Sequence, residues 1–170
     1  MFIAHLPAGY LLTRFVVVKR GMAHIPSFQY RTFMALGLIG SLLPDVDMLY
    51  FYLIDNRQHL HHGYWTHIPL SWLMLSGVTL LIGRLLRKPL VAPAAIVLFS
   101  NVFVHLFLDT VAGKIPWLYP VSSHAFVLFD VPARYDWWVW NFVFHWTFLF
   151  EVTITGAALF MFLRSRSKTG

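Results

Sequence analysis

Cysteine is absent from this sequence. No disulfide framework, thiolate metal site or cysteine nucleophile is therefore available to it. Charge is nearly as scarce. Charged residues make up 12% of the chain, and only seven of them are acidic, against about 25% charged in soluble globular domains. Low-complexity tracts, internal repeats and Gly/Ser linkers are missing too, so nothing marks a domain boundary. The 170 residues read as one membrane-embedded domain, 1–170. The N-terminus lacks a basic n-region and a small-residue cleavage site, so no cleaved signal peptide is expected. What fills the chain instead is apolar. Hydrophobic residues make up 58%, including 16 Phe, 7 Trp and 7 Tyr. Too few polar residues remain to cover a soluble surface, and lipid is the expected solvent.

A membrane-crossing helix needs about 20 mostly apolar residues. Five candidate spans appear: Phe2 to Val18, Thr32 to Ile54, Thr66 to Gly83, Leu90 to Val111, and Trp137 to Leu163. The second is interrupted by Pro44-Asp45-Val46-Asp47. The Pro-rich stretch Ile115 to Pro132 reads as an interfacial or re-entrant segment. The expected fold class is thus an all-α integral membrane protein with about five transmembrane helices plus that segment.

The net charge of +6 does not indicate a nucleic-acid partner, because the basic residues form no single patch. They flank apolar runs: Lys19, Arg20 and Arg31; Arg84, Arg87 and Lys88; Arg164, Arg166 and Lys168. If five spans alternate, all nine of these fall on one side. Arg57, Lys114 and Arg134 fall on the other, and Arg14 lies within the first span. The positive-inside rule then predicts an outward N-terminus and an inward C-terminus. Acidic residues and histidines sort the opposite way. Asp45, Asp47, Asp55, Asp109, Asp130 and Asp136 gather toward the outer side, as do His5, His59, His61, His62, His67, His105 and His124. That topology rests on Lys and Arg alone, yet it collects almost every metal-ligand type at one face.

Four groups carry candidate chemistry: His5, Asp45-x-Asp47, His62-x4-His67 and His105-x3-Asp109. Residues four apart share a helix face, so His105 and Asp109 project together. A carboxylate at membrane depth is costly unless it is paired or holds a cation. Asp45 and Asp47 follow a proline, and a broken helix is tolerated where its backbone lines a cavity. Imidazole with carboxylate suits zinc, manganese or iron better than calcium. Singly, each group has a structural reading as a buried pair, a polar turn or a solvated loop. Together they place seven ligand-type side chains at one face of a chain with seven acids and nine histidines. One or two divalent ions are expected, zinc first. Elsewhere, Glu151 is expected to pair with Arg14, Asn101 to hydrogen-bond between helices, and Trp137, Trp138 and Trp140 to form an interfacial aromatic belt.

These motifs resemble the family of bacterial inner-membrane-associated, metal-dependent hydrolases whose best-known member is under LexA control. The resemblance rests on His5 in Ala4-His5-Leu6, on Leu43-Pro44-Asp45-Val46-Asp47, on His62-Gly63-Tyr64-Trp65-Thr66-His67 and on His105-Leu106-Phe107-Leu108-Asp109-Thr110. Gly113 and Trp117-Leu118-Tyr119-Pro120 follow in the family's order. The family often has Arg where Gly63 stands here, so Arg57, Lys114 or Arg134 would have to supply that positive charge. The resemblance implies hydrolysis without naming a substrate.

The expectation is therefore a metal-dependent hydrolase with ligands drawn from His5, Asp45, Asp47, His62, His67, His105 and Asp109. Asp45 or Asp109 would take the proton of the attacking water. A phosphate ester of a lipid or lipid-linked substrate fits the location, with Arg57, Lys114, His124 and Arg134 as phosphate-binding candidates. The alternative is a metal-binding or metal-transporting membrane protein without catalysis.

Overall fold

A computed structural model describes residues 3–19, 27–59 and 61–166. It holds seven α-helices: α1 His5–Lys19, α2 Ser27–Gly40, α3 Asp47–Leu53, α4 Pro69–Leu85, α5 Val91–Thr110, α6 Trp138–Val143 and α7 Phe148–Arg166. Short 3-10 turns occupy Pro44–Val46, His61–Gly63 and Trp65–His67. No strand occurs among the described residues, only an isolated bridge between Ile115 and Phe126.

Among the described residues, two helices are long and apolar enough to cross a membrane, Val91–Thr110 and Phe148–Ser165. A third crossing results if Phe28–Gly40 and Pro44–Leu53, bent by 57°, count as one. This is fewer than the five expected. His5–Val18 and Pro69–Leu85 are apolar but shorter. The third expected span starts late because Ile68 precedes Pro69 and takes extended backbone, φ −92° and ψ 111°, as a residue before proline prefers. The fifth expected span is two helices. Asn141 ties α6 to the preceding loop by accepting the N–H groups of Arg134 and Tyr135 and donating to the Tyr135 carbonyl. The chain then turns at residues 144–147 before α7. The bend after α2 falls where Pro44 has no N–H to continue the helical ladder.

The helix α5 is the hub. It packs against α1, α2 and α4, while α7 packs against α1. Its core faces comprise Val97, Val102 and Leu106, joined by Trp72 of α4 and Phe33 of α2. Close approach depends on small residues. A Cβ at Gly37 would stand 1.8 Å from Thr13 Oγ1, and one at Gly40 would stand 2.3 Å from the Leu98 carbonyl oxygen. Membrane helices associate through such small-residue contacts. Asn101 donates to Thr13 Oγ1 across the α5–α1 contact, as expected. Large apolar side chains remain exposed along α4 and α7, among them Leu73, Met74, Leu81, Leu159 and Phe160.

The segment Ile115 to Pro132 forms neither a span nor a re-entrant helix. It folds back over the end of α5, where the N–H groups of Leu128 and Phe129 reach the carbonyls of Thr110 and Val111. Glu151 does not serve Arg14 as expected. Its carboxylate accepts the N–H groups of Ile3 and Ala4 at the start of α1. Arg14 lies more than two turns further along α1 and donates to the Tyr10 hydroxyl. The Trp137, Trp138 and Trp140 side chains are exposed.

Candidate metal centre

One end of the bundle collects the start of α1, the turn between α2 and α3, the turn before α4 and the end of α5. From these come His5, Asp45, His67 and the His105/Asp109 pair. The i, i+4 spacing brings His105 Nε2 to 2.9 Å from Asp109 Oδ2. Asp45, His67, His105 and Asp109 each offer one ligand atom, all within 4.8 Å of one another. His105 Nε2 lies 3.5 Å from Asp45 Oδ1, and His67 Nε2 lies 3.6 Å from Asp109 Oδ2 and 3.8 Å from Asp45 Oδ1. A tetrahedral ion with bonds of about 2.0–2.2 Å separates its ligand atoms by about 3.3–3.6 Å. The four histidine–carboxylate pairs stand at or near that spacing.

The imidazoles are held in the ligand form by their far nitrogens. His105 Nδ1 lies 2.8 Å from the Ser41 carbonyl oxygen. A carbonyl only accepts, so Nδ1 carries the proton and Nε2 of the neutral ring keeps its lone pair. His67 Nδ1 lies 2.8 Å from Asp47 Oδ2, which also accepts from Thr66 Oγ1 at 2.5 Å. Asp47 thus orients His67 and stands outside the group of four. The buried Nε2 atoms of His5 and His105 make no hydrogen bond, as expected of nitrogens that aim at a shared point.

His5 and His62 flank the group. The His5 ring stacks on His105 with centroids 3.9 Å apart, and its Nε2 lies 3.1 Å from Asp109 Oδ1. His62 Nε2 lies 3.8 Å from Asp109 Oδ2, and its ring rests against Gly113. A Cβ there would stand 2.4 Å from His62 Cε1, so only glycine leaves the ring its seat. Asp109 is fully enclosed by these histidines, whereas the Asp45 side chain is 35% exposed. Of the two expected proton acceptors, Asp45 is the one that water reaches.

Other expected residues stay apart. Arg57, Lys114, His124 and Arg134 are exposed, and among the described residues none makes a hydrogen bond or ring contact with the cluster. The Arg57 guanidinium lies over the Tyr52 ring, and His124 packs edge-on against Phe126. His59 bonds Asp55, which this contact holds down at about 2, well below the usual carboxylate value. Arg84, Arg87 and Lys88 join the far ends of α4 and α5. Arg20, Lys168 and the side chains of Lys19 and Arg166 lie outside the described residues. Three supports of the site carried no usable sequence signal. Ser41 acts through its carbonyl. Thr66 bonds a residue 19 positions away, and Trp72 Nε1 donates to the Thr66 carbonyl to hold the turn that carries His67.

A buried His/Asp cluster at one end of a bundle of apolar helices defines a helical membrane protein with a candidate metal centre. The chain belongs to the YdjM inner membrane protein family, whose model matches residues 1–167. That family and the apolar helices give it a membrane location. No curated protein and no solved structure matches the chain.

Proposed function

We propose that the protein is a metal-dependent hydrolase of the bacterial inner membrane. Its substrate would be a phosphate ester of a lipid or lipid-linked molecule at the outer face. The observation that carries this reading is the convergence of four ligand atoms, three of them on buried residues, with the two imidazoles pre-set by Ser41 and Asp47. The resemblance to the LexA-regulated hydrolase family supports the choice of hydrolysis over simple metal storage.

In this reading Asp45, His67, His105 and Asp109 hold a divalent cation, zinc first. When bound, such an ion supplies Lewis acidity and makes a neighbouring water acidic near neutral pH. Asp45 reaches solvent and takes the water's proton. Asp109 is enclosed and stays a ligand. His62, at the rim beside Gly113, would give a proton to the leaving-group oxygen. Lys114 follows Gly113 directly, and Arg57 lies in the loop before His62; both are exposed and would meet an anionic head group outside the cluster.

The topology in this reading has α1, the bent α2–α3 pair, α4, α5 and α7 as five alternating crossings. The basic helix ends face inward, and the N-terminus lies outside with the C-terminus inside. At 1.5 Å per residue, α1 and α4 are about 22 and 25 Å long. Such short spans are accommodated by local thinning of the bilayer or by snorkelling flanks.

The test is metal-loaded, detergent-purified protein against a panel of phospholipids, lipid pyrophosphates and peptides. Phosphate or head-group release, lost in Asp45→Asn, is the expected result. No cleavage across the panel would refute hydrolysis. Metal uptake into proteoliposomes, abolished by Asp45→Ala, would move the protein to the transport reading.

A further inference from the structure

We infer that the cluster holds two divalent cations, bridged by Asp109, with His5 Nε2 as a protein ligand of the second. The inference rests on the metal-centre reading above and deepens it. Both carboxylates divide their oxygens between the His67/His105 side and His5, but they meet different nitrogens of the His5 ring. Asp45 Oδ1 faces His67 and His105, at 3.8 and 3.5 Å, while Asp45 Oδ2 faces His5 Nδ1 at 3.9 Å. Asp109 Oδ2 faces His105 and His67, at 2.9 and 3.6 Å, while Asp109 Oδ1 faces His5 Nε2 at 3.1 Å. One oxygen of each carboxylate therefore belongs to the His67/His105 side and the other to the His5 side. One imidazole nitrogen serves one ion, so Asp109, whose Oδ1 meets His5 Nε2, is the carboxylate set to bridge two ions about 3.5–4 Å apart.

His5 stacks on His105 and turns its Nε2 toward Asp109. The residue is 6% exposed, and its Nε2 is buried without a hydrogen bond. Its ring lies nearly parallel to His105, with an interplanar angle of 17°, so the two imidazoles stand side by side along the carboxylate pair. The start of α1 that carries His5 is tied by the backbone N–H groups of Ile3 and Ala4 to Glu151. His5 is therefore anchored from α7 as well as from its own helix.

Charge gives the consequence. One dication against the Asp45 and Asp109 carboxylates leaves the centre neutral. A second dication leaves it positive even after Asp47 is counted. A positive, water-poor centre favours an anionic substrate. This explains how a phosphate ester could bind although Arg57, Lys114, His124 and Arg134 make no contact with the cluster.

The experiment loads metal-free detergent-purified protein with Mn²⁺ and measures bound manganese by elemental analysis, together with the electron paramagnetic resonance spectrum. Wild type should bind two ions per chain and show a spin-coupled spectrum. His5→Ala and His5→Gln should bind one ion and show the spectrum of an isolated Mn²⁺. One uncoupled ion in wild type, unchanged in the His5 variants, would overturn this inference and leave the single-metal hydrolase standing. No bound ion in wild type would overturn both. The coupled wild-type spectrum decides the point even if a His5 variant fails to fold.

Discussion

Asp47 offers the sharpest test of the site's layout, because its sequence context marks it as a ligand and its contacts mark it as a support. Both Asp47 and His67 are buried, and their side chains meet at 2.8 Å. Asp47→Asn keeps an oxygen that can accept the His67 Nδ1 proton but removes the charge, and charge-assisted bonds are about twice as strong as neutral ones. Loss of a histidine's carboxylate partner typically weakens metal affinity about 10–100-fold. The conservative variant should sit near the tenfold end, about 1.4 kcal/mol. Asp47→Ala also leaves Nδ1 and the Thr66 hydroxyl without their acceptor, and should approach 100-fold, about 2.7 kcal/mol. His105→Ala removes a ligand and should abolish stoichiometric binding at the His67 side. The assay is titration of the metal-free protein against a chromophoric chelator in detergent, with zinc. If Asp47→Asn loses metal as completely as His105→Ala, Asp47 is a ligand and the assignment is wrong. If Asp47→Ala binds zinc as tightly as wild type, the carboxylate does not orient His67.

Three further outcomes follow from the packing around the centre. Gly113→Ala should displace the His62 ring and lower hydrolysis by up to about 100-fold, with metal content unchanged; loss of metal would show that His62 is a required ligand. Gly37→Ala places a Cβ on Thr13 and should destabilise the α1–α2 contact by about 1–3 kcal/mol, read as a lower thermal midpoint in detergent. An unchanged midpoint would mean that the two helices part freely. Trp72→Phe removes the indole N–H that holds the Thr66 carbonyl and should cost about 1 kcal/mol of stability with a measurable drop in zinc affinity; a stability loss without any change in affinity would uncouple that turn from the metal centre.

Much of the fold was legible locally. The long apolar run at Leu90 to Val111 appears as α5 within a residue at either end, because its one proline, Pro93, falls in the first turn, where no helical N–H bond is lost. The break at Pro44 was legible for the reason that proline lacks an N–H. The fifth span was misjudged because hydropathy cannot see Asn141 stapling α6 to a loop. The Arg14–Glu151 pairing failed because opposite charge says nothing of depth: Glu151 meets the first residues of α1, whereas Arg14 lies beyond its midpoint.

The candidate site divides the same way. Composition alone made lipid the solvent, and the opposite sorting of Lys/Arg against Asp/His gathered the ligand types at one end. The i, i+4 spacing alone paired His105 with Asp109. Those properties are periodic or additive, so they survive without knowledge of tertiary contacts. Only the packed structure separated Asp45 from Asp47, one directed at the shared point and the other at His67 Nδ1, because two residues apart on a tight turn face different neighbours. Only packing brought His5 onto His105 across about 100 residues of chain, seated His62 on Gly113, and recruited a backbone carbonyl at Ser41 to set a tautomer. A carbonyl is the same in every residue, and a stack between distant helices depends on their register, which no local pattern encodes.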